Sequence, residues 1–152
     1  RGLAGPLTTQ WMTEKFEIAR KVFDRMRAFG MKPVLPGFSG RVPSKFKDIV
    51  RDNDEIGETE TQWNDYFPNH PEYTHTSLLL PTSELFAEIA EVHVKTLVKL
   101  FGPNDHYYNV DIYNENEPRD LAPEYLITVA QTISSAMQRG DEKAIWVMQG
   151  WA

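Results

Sequence analysis

Three helix patterns alternate with three short strand patterns along this chain, and this alternation restricts the fold more than any other feature. Apolar residues recur every three or four positions in residues 10–29, 83–101 and 123–138. Each of these helices precedes a short extended run, in residues 31–36, 107–113 and 144–148. Strands that alternate with helices form βαβ crossovers and a parallel sheet, either open or closed into a barrel.

Capping residues mark the ends of the predicted helices. Thr82 or Ser83 can cap the second helix, because a hydroxyl oxygen accepts a bond from a free N–H of the first turn. Gly30 follows the first helix, where glycine readily adopts the left-handed backbone that ends a helix, and Gly140 ends the third helix. These residues support three separate helices.

Residues 41–81 interrupt the alternation with a long segment that shows no sustained period. It contains four prolines and, between Trp63 and Tyr73, four aromatic residues. Loops of this length inside compact domains are usually functional, although a segment whose packing partner is missing explains the pattern equally well. Because the segment follows the first strand, we predict a long excursion that contacts the mouth of the active site.

Composition excludes several classes of protein. With 41% hydrophobic and 25% charged residues among 152, the chain is neither disordered nor a coiled coil, and it corresponds to one domain or part of one. No apolar run approaches the roughly 18 residues of a membrane span. A net charge of −6 offers no basic surface for nucleic acid. The chain starts at Arg1 and ends just after a strand pattern, so we expect an excerpt of a longer polypeptide.

The motifs of common cofactor and metal sites are missing from the sequence. It contains neither a Gly-x-Gly-x-x-Gly fingerprint nor a Walker lysine loop nor a Gly-x-Ser-x-Gly elbow. The four histidines, at positions 70, 75, 93 and 106, lack zinc-site spacing, and cysteine is absent. We therefore expect no metal and no organic cofactor.

Chemistry in parallel α/β folds takes place at the C-terminal ends of the strands, here residues 37–42, 114–119 and 149–152. Their carboxylates, amides and aromatic rings suit sugar recognition. Glu115, beside Asn114, can act as a general acid if its site is partly desolvated, because burial raises a carboxyl pKa toward about 6. A solvated loop carboxylate or a helix cap is the alternative role.

Three segments resemble the α-N-acetylglucosaminidases of glycoside hydrolase family 89. They are GMKPVLPGFSGRVP at residues 30–43, DIYNE at residues 111–115 and WVMQGW at residues 146–151. The similarity is colinear and extends over nearly the whole chain, including GPL at residues 5–7.

The resemblance implies a (β/α)8 TIM barrel that removes terminal α-linked N-acetylglucosamine with retention and without a cofactor. Glu115 falls on the general acid/base of the family, and Asn114 on a residue near the 2-acetamido group. Trp151, Phe38 and Gly40 fall on strand-end loops around the sugar pocket. The nucleophilic Glu of the family lies several strands further along, outside these residues.

Glu117 stands where the family is expected to have Gln. Glu115 and Glu117 cannot form the carboxylate pair of a retaining enzyme, although residues two apart on a strand lie roughly 6.5 Å from each other. Such a pair must flank the anomeric carbon, whereas neighbours on one strand approach it from one side. The partner carboxylate must come from across the barrel.

The fold class we expect is therefore α/β, with residues 1–152 forming about three of the eight strands of one catalytic (β/α)8 barrel. The implied partners are a glycan such as heparan sulfate and the rest of the barrel, in a lysosomal or secreted protein; a homo-oligomer stays open. One alternative is a TIM-barrel glycosidase of different sugar specificity. Another is a non-catalytic scaffold that binds proteins through Trp63, Tyr66, Phe67 and Tyr73.

Overall fold

The computed structural model describes residues 7–48, 50, 56–58, 76–102, 105–113 and 118–149. In chain order, their elements are α1 (Thr9–Ala28), β1 (Val34–Pro36), β2 (Arg41–Pro43), a 3₁₀ helix (Ser44–Asp48), β3 (Ile56–Glu58), β4 (Thr76–Leu79), α2 (Glu84–Phe101), β5 (Tyr107–Asn109), α3 (Pro123–Gly140) and β6 (Ile145–Val147).

A parallel sheet with the order β1-β5-β6 forms the centre of the fold. Leu35, Tyr108 and Trp146 occupy one row of its register, and Pro36, Asn109 and Val147 occupy the next. The C-terminal ends of the three strands therefore lie side by side. This arrangement confirms the predicted α/β fold with parallel strands, although each strand is shorter than its sequence pattern.

Helices α2 and α3 cover one face of the parallel sheet and enclose the core. Ser83 caps α2 as expected, since its Oγ accepts the backbone N–H of Phe86 at 3.1 Å. Fully burying a large apolar side chain, such as that of Leu35 or Phe86, contributes about 1.5–3 kcal/mol. The most deeply buried core side chains are Leu35, Leu79, Phe86, Val94, Tyr108 and Ala136.

Helices α2 and α3 approach closely at Gly140, the last residue of α3. A Cβ atom added to Gly140 would lie 2.6 Å from Cβ of Val94 and 3.0 Å from the carbonyl oxygen of Glu91. Glu91 also pairs with Arg139, with 2.7 Å between Oε2 and Nε. Gly140 was expected to stop the helix, and the structure shows that its missing side chain also lets the two helices touch.

Helix α1 has no buried residue, and it contacts the rest of the described chain through aromatic rings and through Arg27, whose Nε lies 3.5 Å from Oδ2 of Asp105. The rings of Phe16 and Phe23 lie 5.4 and 5.0 Å from the ring of Phe101 on α2. Four other large apolar side chains of α1 are exposed: Trp11, Met12, Ile18 and Val22.

The excursion over residues 41–81 contains regular elements that the sequence pattern did not predict. Strands β2, β4 and β3 pair there as an antiparallel sheet in that order. Ser77, Leu78 and Leu79 of β4 are buried, so this sheet adds to the core. Strands of three or four residues are too short for an alternating pattern to stand out in the sequence.

Two expected apolar helix faces are only partly buried. Phe86, Ile133, Ala136 and Met137 are buried as the periodicity predicts. The exposed members of the predicted faces are Val92, Leu100, Leu126 and Ile127.

Among the helices described, none is long and apolar enough to cross a membrane.

Candidate active site

The end of β1 is joined to the end of β5 by an extension of the parallel ladder. The backbone N–H of Gly37 donates to the carbonyl oxygen of Asn109 at 2.8 Å. A Cβ atom at Gly37 would lie only 2.4 Å from Cγ2 of Val110, so this close approach requires glycine. The loop that follows β1 is therefore fixed against the segment that leads to Asn114 and Glu115.

Phe38, a predicted sugar-binding residue, lies against α2. Its ring centroid is 5.4 Å from the ring of Phe86 and 6.2 Å from the ring of His93. His93 also places Nε2 3.0 Å from the carbonyl oxygen of Pro36, which ties the end of β1 to the helix. The position of Phe38 is thus set by the helix layer, and its contact with a sugar stays a prediction.

Gly40, the second predicted binding residue of this loop, is buried and has a positive φ of 85°. A Cβ atom there would lie 3.0 Å from both Leu78 and Phe86, and its carbonyl oxygen accepts the N–H of Leu79 at 2.9 Å. Glycine is required for both the backbone conformation and the packing. A role in sugar binding through its backbone stays a prediction.

Asn114, Glu115 and Trp151 lie outside the described residues, as do Trp63, Tyr66, Phe67 and Tyr73. The structure describes the strands that lead to the first three. Two side-chain bonds join these strands at their C-terminal ends: Asn109 Nδ2 donates to the Val147 carbonyl at 3.1 Å, and Trp146 Nε1 donates to the Val110 carbonyl at 3.0 Å. Sequence reasoning missed both, because each bond depends on the register between strands that are far apart in the chain.

A cavity of about 200 Å³ lies between α3 and the ends of β5 and β6. Its wall is mostly apolar, which does not match a sugar with its hydroxyl groups. The lining residues are Val110, Asp111, Ile112, Tyr113, Leu126, Val129, Ala130, Ile133, Trp146, Met148 and Gln149.

A polar cluster lies at the opposite, N-terminal end of the parallel sheet. Oδ2 of the largely buried Asp141 is 2.7 Å from Nδ1 of His106 and 2.7 Å from the hydroxyl of Tyr108. Burial alone would raise the pKa of the Asp141 carboxyl. The hydrogen bonds from His106, Tyr108 and the backbone N–H of Lys143 outweigh burial and hold this pKa below its ordinary value.

His106 adopts a left-handed backbone with a φ of 65°, which is uncommon for a residue other than glycine. Its carbonyl oxygen accepts the N–H of Ile145 at 2.7 Å, so the residue joins the starts of β5 and β6. This cluster was not predicted, since His106 and Tyr108 lie more than thirty residues before Asp141 in the chain. At this end of a barrel, polar contacts stabilise the fold rather than perform chemistry.

Within the residues that the structure describes, no group of three or more His, Asp or Glu side chains could hold a metal ion.

Comparisons with known proteins identify the same family by sequence and by structure. Residues 1–152 match the family described as alpha-N-acetylglucosaminidase (NAGLU) tim-barrel domain. The human alpha-N-acetylglucosaminidase is 34% identical over 148 residues, which are 97% of this chain and 19% of that protein. The chain therefore spans about a fifth of the length of this curated relative.

Two solved structures of a family 89 glycoside hydrolase from Clostridium perfringens are similar, each with a TM-score of 0.73. The one in complex with 2-acetamido-1,2-dideoxynojirmycin is 30% identical, and the one in complex with PUGNAc is 28% identical. In both cases the match covers 99% of this chain and 16% of the other.

Proposed function

Because this chain belongs to the alpha-N-acetylglucosaminidase TIM-barrel family, we propose that it forms part of a retaining glycoside hydrolase that removes terminal α-linked N-acetylglucosamine. The observation that carries the proposal is the family match over the whole chain. A parallel sheet whose C-terminal strand ends lie side by side supports it, since barrel enzymes build their sites there. The bacterial relative binds a 2-acetamido sugar analogue, which supports the same substrate class here.

Glu115 is the general acid/base in this proposal. It protonates the glycosidic oxygen while a Glu from another strand attacks the anomeric carbon, and it then removes a proton from the water that releases the sugar. Asn114 contacts the 2-acetamido group, and Trp151, Phe38 and Gly40 surround the ring. This set is supported by the positions of these residues at or after the ends of the three parallel strands.

The chain supplies about three of the eight strands of the barrel, and the remaining strands come from outside residues 1–152. Unpaired edges at β1 and β6 within the described residues support this division. The exposed apolar side chains of α1 and of Phe29 directly after it also support this division; on the helix they are Trp11, Met12, Ile18 and Val22. Such a surface needs a packing partner to be stable in water.

Heparan sulfate is the glycan proposed, in a lysosomal or secreted protein. The net charge of −6 opposes general binding of a polyanion. A pocket that takes only one neutral terminal sugar avoids this repulsion. Fractionation of the source cells, with the activity followed in lysosomal and secreted fractions, tests the location.

Hydrolysis by the natural polypeptide that contains this chain tests the activity. An aryl α-N-acetylglucosaminide should be cleaved, and the β-anomer and the aryl α-glucoside should not. Proton NMR of the first product should show the α-anomer, as retention requires. Faster cleavage of another α-glycoside would favour the glycosidase of different specificity, and the absence of any hydrolysis would favour the scaffold.

A further inference from the structure

The C-terminal ends of β5 and β6 are connected by two reciprocal side-chain hydrogen bonds. Asn109 on β5 donates from Nδ2 to the carbonyl oxygen of Val147 on β6 at 3.1 Å. Trp146 on β6 donates from Nε1 to the carbonyl oxygen of Val110, directly after β5, at 3.0 Å. Each strand therefore supplies a side chain that binds the backbone of the other.

These bonds lie at the point where the parallel ladder between the two strands ends. Asn109 and Val147 form its last pair, and the carbonyl of Val110 lies one residue beyond. The bond from the Trp146 indole thus extends the connection between the strands past the ladder.

The Trp146 indole is held in place by packing as well as by its hydrogen bond. The side chain is half-buried against the core, and it lines the cavity together with Leu126 and Val129 of α3. Contact with the core on one side limits the rotamers of the ring, and the hydrogen bond directs its N–H at the Val110 carbonyl.

We propose that Trp146 is a positioning residue, which holds the strand end leading to Glu115 at a fixed distance from the strand end leading to Trp151. The inference rests on the proposed function. Val110 precedes Glu115 by five residues, and Trp146 precedes Trp151 by five residues. The bond therefore joins two segments just before the residues that surround the sugar.

Proton transfer explains why this distance matters. A general acid must lie within hydrogen-bond reach of the oxygen that it protonates. A misplacement of 1 Å can cost about 10²-fold in rate. Loss of the Trp146 bond should therefore affect the step that needs the proton more than it affects sugar binding.

Trp146→Phe in the full-length protein tests the inference. The variant keeps an apolar ring at this position but loses the N–H donor, and its ring is smaller. The probes are α-N-acetylglucosaminides whose leaving groups have graded pKa values. We expect kcat/KM to fall about 10- to 100-fold for a sugar leaving group. For a nitrophenyl leaving group, which needs little protonation, the loss should stay below about threefold.

Tyr108→Phe is the matched control. Tyr108 is the register neighbour of Trp146 on the same face of the sheet. The variant lacks the hydroxyl that donates to Asp141 at the opposite, N-terminal end of the sheet. This variant should lower the Tm without making the rate depend more steeply on the leaving group. A general loss of rigidity would change both variants alike.

Asn109→Ala provides a second test if Trp146→Phe does not fold. It removes the other cross-strand bond, from a half-buried residue, and should steepen the same leaving-group dependence by a smaller factor. If a folded variant, Trp146→Phe or Asn109→Ala, keeps the wild-type dependence, or if Tyr108→Phe steepens it equally, the inference is wrong and the proposed function stands. An inactive wild-type protein would overturn the proposed function and the inference with it.

Discussion

The carboxylate of Asp141 lies 2.7 Å from Nδ1 of His106, and this pair joins the C-terminal end of α3 to the residue that precedes β5. Because a carboxylate only accepts hydrogen bonds, Nδ1 carries the proton. The side chain of Asp141 is only 7% exposed and accepts hydrogen bonds from His106, Tyr108 and the backbone N–H of Lys143, so removal of its charge would weaken all three.

Acidification should weaken the fold through Asp141. Its pKa in the folded state is lowered, so it contributes stability that is present above the unfolded pKa of about 3.9 and is lost as pH falls through the folded value. In the full-length protein, Asp141→Asn should cost about 1–3 kcal/mol of unfolding free energy at pH 7. Thermal unfolding from pH 7 to about pH 3 should then show a weaker dependence on pH than in the wild type.

The control for Asp141→Asn is Asp24→Asn, which removes an exposed carboxylate paired with Arg27 on α1. Its effect should stay within about 0.5 kcal/mol at pH 7. Identical pH slopes for wild type and Asp141→Asn would mean that the cluster does not contribute to acid sensitivity.

Gly140→Ala should destabilise the protein, although alanine favours helices by up to about 1 kcal/mol over glycine. The new Cβ would lie 2.6 Å from Cβ of Val94, and such overpacking costs about 1–3 kcal/mol. Urea unfolding of the full-length protein measures the net effect. Val94→Ala in the same chain removes Cγ1, which would lie 2.8 Å from the new Cβ, but keeps Cβ, so it should recover little of the loss. A Gly140→Ala variant as stable as the wild type would contradict a direct clash.

The sequence predicted those parts of the fold in which local patterns and packing agree. The periodicity of α2 and the hydroxyl of Ser83 predicted its bounds to within a residue, because a cap and a long apolar stripe act locally. The sequence pattern did not predict β2, β3 and β4, because these short strands are stabilised by pairing with partners elsewhere in the chain. Leu126 and Ile127 belong to a predicted apolar face but are exposed. The sequence of a helix does not determine which other element packs on that face.

The candidate site was predictable to a different extent. The family resemblance placed Gly40 on a strand-end loop, and the structure adds the positive φ and the packing that require glycine. The bonds of Trp146 and Asn109 were not predictable, since each depends on a register between strands far apart in sequence. The proposed roles of Asn114, Glu115 and Trp151, which lie outside the described residues, rest on the sequence alone.

The isolated 152-residue chain should not form a stable monomer. Its parallel sheet has open edges at β1 and β6 among the described residues, and Val34 and Ile145 on these strands are exposed. Unpaired edges and missing packing surface favour association or unfolding. Circular dichroism during heating should show no cooperative transition, and size-exclusion chromatography should show aggregates. A soluble monomer with a sharp transition would instead favour a small open-sheet domain.

Glu115→Gln and Glu117→Gln should differ strongly in the full-length protein. The amide at position 115 keeps the shape of the side chain but removes the proton for the leaving group, a loss of about 10²- to 10⁴-fold in kcat/KM. Glu117 directly precedes Pro118, where the strand is expected to have turned away, and the family is expected to have the neutral amide of Gln at this position. Glu117→Gln should therefore be mild.

Two substrates make this comparison specific for general-acid catalysis. An aryl α-N-acetylglucosaminide with an activated leaving group needs little protonation, so Glu115→Gln should impair its cleavage less than that of a substrate with a sugar leaving group. Glu117→Gln should affect both substrates equally and slightly, because it removes no proton from the reaction. If Glu117→Gln were the more damaging change on both, Glu115 would not be the acid, and the alignment of this strand end with the family would have to shift.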